Sequence, residues 1–316
     1  MKGWLVWVIW IPFTLYAQAH PVQAFEEDLV LLAPSLLDVE QTDDQRKASA
    51  RQFLLLLEKA LNQPNSFDFN FTKLKNLSVV GPSDRRFRIF TWFSVENYRK
   101  KAYGILQIAP QKGSNQKTVF RLMEQEEGVR NADFKTFGPE KWPGAMYYDI
   151  MPVHAGGQKT YLLLGFHPGD NVVHRKTIEV LTFTKNGEPR FGLPVFMVNQ
   201  RKAHRIQFQY NAMATMSLKF DKLRRRIVFD HLSPPDISMK NQFQHYGPDF
   251  SIDAYDLKGG LFVYIEDLDI MNRSENLGGP GERLNVPNRP SLIRKDGNKA
   301  VRPSTQDSLN APSRKP

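Results

Sequence analysis

The apolar and polar positions of this chain change period once, near residue 77, and that change divides it. Before it, TDDQRKASARQFLLLLEKALNQP places Ala50, Phe53, Leu54, Leu57 and Leu61 at helical spacing, one apolar face on a helix. Thr42 with Gln45 three residues later is a capping-box start, and Pro64 is a stop. A shorter apolar segment, DLVLLAPSLLDVE, precedes this helix. After residue 77 the period becomes two. RRFRIFTW sets Phe87, Ile89 and Thr91 against Arg86, Arg88 and Phe90. HRIQFQY sets Ile206, Phe208 and Tyr210 against Arg205, Gln207 and Gln209, and MSLKFD turns Met216, Leu218 and Phe220 inward. Such alternation predicts strands with one buried and one wet face. KAYGILQI, TVFRLME, GAMYYDIMPV, TYLLLGF, TIEVLTF, EPRFGLPVFMV and RRIVFDHL are further runs of strand length. Asn186-Gly187 and Gly259-Gly260 supply residues that accept the positive φ of tight hairpins. The expected fold is therefore mainly β: an antiparallel meander of about a dozen strands with one N-terminal α-helix. Propeller-like, barrel-like and sandwich closures all remain open, although no fixed repeat period supports a regular propeller. The polar stretch 125–144 reads as a crossing between two halves of the sheet structure.

Four segments follow from this pattern: 1–24, 25–66, 67–271 and 272–316. In the first, Lys2 precedes the apolar run WLVWVIWIPFTLY, and Ala17-Gln18-Ala19 and Val22-Gln23-Ala24 offer small residues at signal-peptidase spacing. The run is shorter than the ~20 apolar residues of a spanning helix, and Pro12 interrupts it, so a cleaved signal peptide is expected. The second is a helical segment packed on the β domain, and the third is that β-rich domain. The last is rich in Pro, Gly, Asn and Ser without periodicity, the composition of a disordered basic tail. These features predict an exported protein, periplasmic or extracellular, that is not transmembrane once the signal is removed.

Composition narrows the chemistry. With 41% hydrophobic and 12% aromatic residues the chain can fill an ordinary core. It contains no cysteine, which excludes disulfides, thiolate metal sites, a cysteine nucleophile and a lipid-modified cysteine. The net charge of +10 is misleading, because the tail holds nine Lys/Arg against four Asp/Glu. That surplus of five, with Lys2, leaves the folded body only +4, which argues against nucleic acid as a partner. No GxSxG elbow, HExxH helix, phosphate loop or dinucleotide fingerprint is present; the GGPG at 278–281 lies in the tail with no strand before it.

Candidate chemistry concentrates between Arg224 and Ile270. Asp230 and His231 end a strand, Pro234-Pro235 turn the chain away, and Tyr246-Gly247-Pro248-Asp249 turn it back. Asp230, His231, His245, Asp249 and Asp253 form the candidate ligand-binding set. Asp236, Asp256, Glu266, Asp267 and Asp269 add to the local carboxylate density. Oxygen and nitrogen donors from a strand end and its return loop suit a divalent cation, a polar ligand or acid–base work. Aspartates also cap turns, and that structural role competes for the same residues. A weaker set, His167, Asp170 and His174, shares the loop HPGDNVVH.

The phrases EKWPGAMYYDI, KTYLLLGFHPGDN, RKTIEVLTF, PRFG, RIVFDHLSPPD, YGPDFSIDAYDL and VYIEDLDIMN resemble a family of secreted proteins of unknown function from Bacteroidota bacteria. The resemblance covers roughly residues 67–272. It implies an envelope or secreted location and brings no activity, cofactor or site residue. Three function classes stay open: a non-catalytic envelope module that binds a protein or glycan, a metal-assisted hydrolase centred on Asp230, His231 and Asp249, and a tail-mediated binder of anionic polymer or membrane surface.

Overall fold

The computed structural model describes residues 21–268 except 112, 114, 115 and 126–130. The signal run before residue 21, Asp269 and the tail from 272 lie outside the described residues.

The helical segment holds two helices, α1 (Pro21–Leu32) and α2 (Asp43–Leu61). The α2 capping box forms: the Thr42 hydroxyl accepts from the Gln45 amide at 3.3 Å, and the Gln45 side chain accepts from the Thr42 amide at 2.9 Å. All five apolar positions of its periodic face are buried. The sequence pattern did not announce α1, which begins inside the stretch 1–24. Its Val22 is fully buried against the α2 core, and its Glu26 accepts the backbone amide of Lys73 at 2.8 Å.

Among the described residues, fifteen strands make three sheets. The first orders β1 (Ser78–Val80), β2 (Phe87–Glu96), β3 (Arg99–Ile108) and β4 (Val119–Met123) as a meander. The middle sheet contains β5 (Met146–Ala155), β6 (Gln158–His167), β7 (Val173–Phe183) and β11 (Ile206–Asn211), in the order β11-β7-β6-β5, and β8 (Pro189–Phe191) also pairs with β7. The outer sheet runs β10-β9-β15-β14-β13-β12, where β9 is Phe196–Val198, β10 Arg201–Ala203, β12 Leu218–Asp221, β13 Arg226–Ser233, β14 Gly247–Lys258 and β15 Leu261–Ile265. Pairing is antiparallel except between β15 and β9. The expected Asn186-Gly187 and Gly259-Gly260 turns close the β7–β8 and β14–β15 hairpins. Of the closures left open, the described residues adopt packed sheets, with no closed barrel among them.

The layers stack as helices, first sheet, middle sheet and outer sheet. Phe53, Leu57, Phe90, Trp92 and Ile105 fill the first interface. Phe87, Ile89, Leu106, Tyr161, Leu163 and Leu181 fill the second, and Leu162, Leu164, Ile178, Val180, Ile227, Phe229 and Phe262 the third. Stacking corrects the expectation of a wet face on two strands. Arg88 of β2 faces the helices and is buried, with its guanidinium on Gln107 Oε1 and the carbonyls of Phe69 and Ser66. Arg205, just before β11, is fully buried against β7. Its Nε donates to Glu179 Oε2 at 2.8 Å, its other nitrogens reach the carbonyls of Ala132 and Phe191, and it stacks on Phe137. A polar residue can alternate onto an inner face when its charge finds partners there. The stretch 125–144 does separate two parts of the β structure: it carries the chain from the first sheet to the middle one, anchored by fully buried Trp142.

Candidate functional site

Two places hold the candidate chemistry. The first is an irregularity between β13 and β14. The register jumps from Asp230↔Ile252 to Leu232↔Pro248, so His231 alone faces Asp249, Phe250 and Ser251. That bulge brings His231 Nδ1 within 2.8 Å of Asp249 Oδ2. Ser233 also donates to Oδ2, at 3.1 Å, while the Ser251 hydroxyl and amide donate to Oδ1 at 2.6 and 3.1 Å. Burial works to raise the Asp249 pKa, but the hydrogen bonds from Ser251 and His231 outweigh it and hold the carboxyl down at about 2. Both serine hydroxyls bond the carboxylate, so neither is presented to the imidazole as a nucleophile would be.

The other predicted residues go elsewhere. Asp230 accepts the Ser217 amide at 2.7 Å, joining β13 to the segment before β12. Asp253 is buried, accepting the Tyr264 hydroxyl at 2.6 Å and the Asp267 amide at 3.1 Å. Exposed His245 ends a one-turn helix, Phe243–His245. Asp236 caps the turn at Ser238, and Asp256 pairs with Arg226. Among the described residues no three His, Asp or Glu side chains gather as a metal would require. The HPGDNVVH set also separates. His167 is buried beside Glu124 at 3.1 Å, Asp170 accepts the amides of Val172 and Val173, and His174 lies on β7.

The second place is a groove at the end of the middle and outer sheets. Along β7, Val180 and Ile178 face the outer sheet, and the same alternation turns Lys176 and His174 that way. Register sets Phe208 and Phe166 beside Lys176, and Tyr210 beside His174. Past Ile178 these side chains line open space. The wider part, about 700 Å³, is bounded by Tyr148, Asp149, Lys176, residues 215–220 and Asp230. A narrower part of about 430 Å³ continues along Phe166, His174, Tyr210 and residues 212–216. Tyr148, Lys176, Thr215 and Met216 belong to both. Asp230 is thus the one member of the predicted set on this groove's wall.

Its electrostatics are mixed. The Lys176 ammonium sits 5.4 Å from the centre of the Tyr148 ring, a cation–π contact. Burial lowers the Lys176 pKa, and the Asp230 carboxylate opposes that. Burial lowers the His174 pKa as well, and its ring packs edge-on to Phe166 and Tyr210. Tyr148 is 39% exposed while its hydroxyl donates to the Leu218 carbonyl at 3.0 Å, so the ring is held in place with part of its surface exposed. Lys176, Tyr148 and His174 carried no motif and were missed as a group. The signal that locates Lys176 and His174 is the continuation of the TIEVLTF alternation through HRK, where large polar side chains occupy the inward register; nothing comparable marks Tyr148. Among the described residues, no helix is long and apolar enough to cross a membrane. No family model matches the chain, and no curated protein sequence matches it.

Proposed function

We propose that the protein is an exported, non-catalytic binding module of the bacterial envelope whose ligand occupies the groove between the middle and outer sheets. One observation carries this reading: a preformed groove joins a partly exposed aromatic ring, a half-buried lysine and two carboxylates, Asp149 and Asp230. Ligand sites combine apolar walls with a few placed polar groups in this way. The rings offer stacking area, and the charged groups offer orientation. The signal-like N-terminal sequence supports the export part of this reading. The test is binding of purified envelope polysaccharide and envelope protein fractions to the mature protein and to Tyr148→Ala. Saturable binding that the substitution weakens at least tenfold is the expected result; binding indifferent to Tyr148→Ala would move the site elsewhere.

A hydrolase is the second reading, favoured by the His231–Asp249 pair. There the carboxylate would fix the imidazole tautomer and His231 would act as general base toward water. Hydrolysis of any ester or glycoside by the purified protein that His231→Ala abolishes would establish it. The tail-mediated reading concerns residues outside those described.

A further inference from the structure

The groove has a chemical asymmetry that narrows its ligand. Asp230 is already engaged by the Ser217 amide. The Lys176 ammonium, by contrast, makes no hydrogen bond or ion pair among the described residues; it lies over the Tyr148 ring. A half-buried ammonium with no hydrogen-bonded counter-ion is incompletely compensated: the Asp230 carboxylate favours its charge without forming an ion pair, and the hydration given up is not replaced by a hydrogen bond. Three donor positions on Lys176 can therefore be completed by a ligand. Beside it, the exposed part of Tyr148 suits the C–H face of a ring, and the carboxylates of Asp149 and Asp230 suit hydroxyl donors. We infer that the groove binds an acidic carbohydrate, with a sugar carboxylate on Lys176, a pyranose face on Tyr148 and sugar hydroxyls on Asp149 and Asp230. The two connected parts of the groove favour a chain of several sugar units over one small molecule. The two aspartates supply specificity by requiring hydroxyl donors, and not further carboxylates, at the positions they face.

This inference rests on the groove being the ligand site, and the experiment separates the two. Calorimetric titration of the mature protein would use an oligouronide and the same oligosaccharide with its carboxyls reduced to alcohols. The expected result is at least tenfold tighter binding of the acidic form, and a difference that shrinks as salt is raised. Lys176→Met should erase the preference while leaving the melting temperature within a degree or two. Lys176→Arg should keep most of it, and Tyr148→Ala should weaken both sugars. Equal affinity for both sugars, lost in Tyr148→Ala, would overturn the acidic ligand and leave the groove as a neutral glycan site. Binding of an oligoglutamate as tightly as the oligouronide would overturn the sugar. Absence of binding by either sugar, or binding unaffected by both Lys176→Met and Tyr148→Ala, would overturn this inference; polysaccharide-fraction binding sensitive to Tyr148→Ala would still sustain the groove reading.

Discussion

Arg205 and Lys176 are two cations held by the same sheet, and they have opposite kinds of surroundings. Arg205 packs against β7 on the face toward the first sheet, where Glu179, two backbone carbonyls and the Phe137 ring take up its guanidinium. Lys176, three residues before Glu179 on β7, faces the other way into the groove with an aromatic ring and no ion pair. A fully partnered buried charge specifies structure, since removing either member strands the other. A partly buried charge left with capacity to spare is a place where a ligand can gain what the protein has not supplied. The same strand thus carries a structural charge on one face and a recognition charge on the other.

The contrast breaks most visibly at Arg205. Arg205→Met would leave Glu179 buried without its cation, and the expected loss is about 3–5 kcal/mol in chemical denaturation. Burial already raises the Glu179 pKa despite Arg205, so the orphaned carboxyl should be protonated more readily. The double variant Glu179→Leu with Arg205→Met should recover part of the loss. A single variant as stable as the parent would mean that the pair is dispensable, and the distinction from Lys176 would fall.

Next in size is a test of packed against unpacked chain at the N-terminus. A mature protein starting at His20 keeps α1 whole, whereas one starting at Phe25 loses Val22, which is fully buried. The shorter form should be less stable by about 1.5–3 kcal/mol, the value of one buried aliphatic side chain. Mass analysis of exported protein should accordingly find His20, the product of cleavage after Ala19. Equal stability of the two forms would show that the first turn of α1 contributes nothing.

These places differ in how far the sequence exposed them. Alternation located the strands well, because one-face burial writes itself into every second residue. It misjudged Arg88 and Arg205, since a period of two says which face a side chain takes and nothing about what lies beyond that face. The unbroken apolar run YLLLGF in TYLLLGF is the sign of burial on both faces. Helix α1 lacked both a cap signal and a clean stripe; its burial of Val22, Glu26 and Leu29 depends on α2 and the first sheet. At the site, Asp/His density led to the His231–Asp249 pair because both lie at one strand end. It also gathered Asp253 and His245, which the hairpin sends to different surroundings. The groove was illegible because its walls come from β5, β6, β7, β11, β12 and β13, strands of two sheets that only sheet packing brings together.

Between the two cations in expected effect stands the His231–Asp249 pair, satisfied but more exposed. Asp249→Asn should cost about 0.5–2 kcal/mol near neutral pH, comparable to a lost cap. The folded-state pKa of Asp249 lies at about 2, below its ordinary 3.8. Its contribution is therefore fully present above pH 4 and is lost as pH falls through 2. Melting curves of parent and variant should converge over that window. A gap that stays constant down to pH 2 would show that the carboxylate charge is not what holds the bulge.

Lys176→Met should have the smallest effect on stability, and for that reason it sharpens the comparison most. The substitution removes a cation that burial disfavours and keeps an unbranched apolar stem in the same register. Loss of the Tyr148 contact costs about 0.5–1 kcal/mol at a site of this exposure, and relief of desolvation offsets it. The net change in denaturation should lie within about 0.5 kcal/mol of zero, while acidic-sugar preference disappears. A loss approaching that of Arg205→Met would place Lys176 among the structural charges. Stability and recognition would then no longer divide between the two faces of β7, and the groove would need its ligand explained by Asp149, Asp230 and the aromatic walls alone.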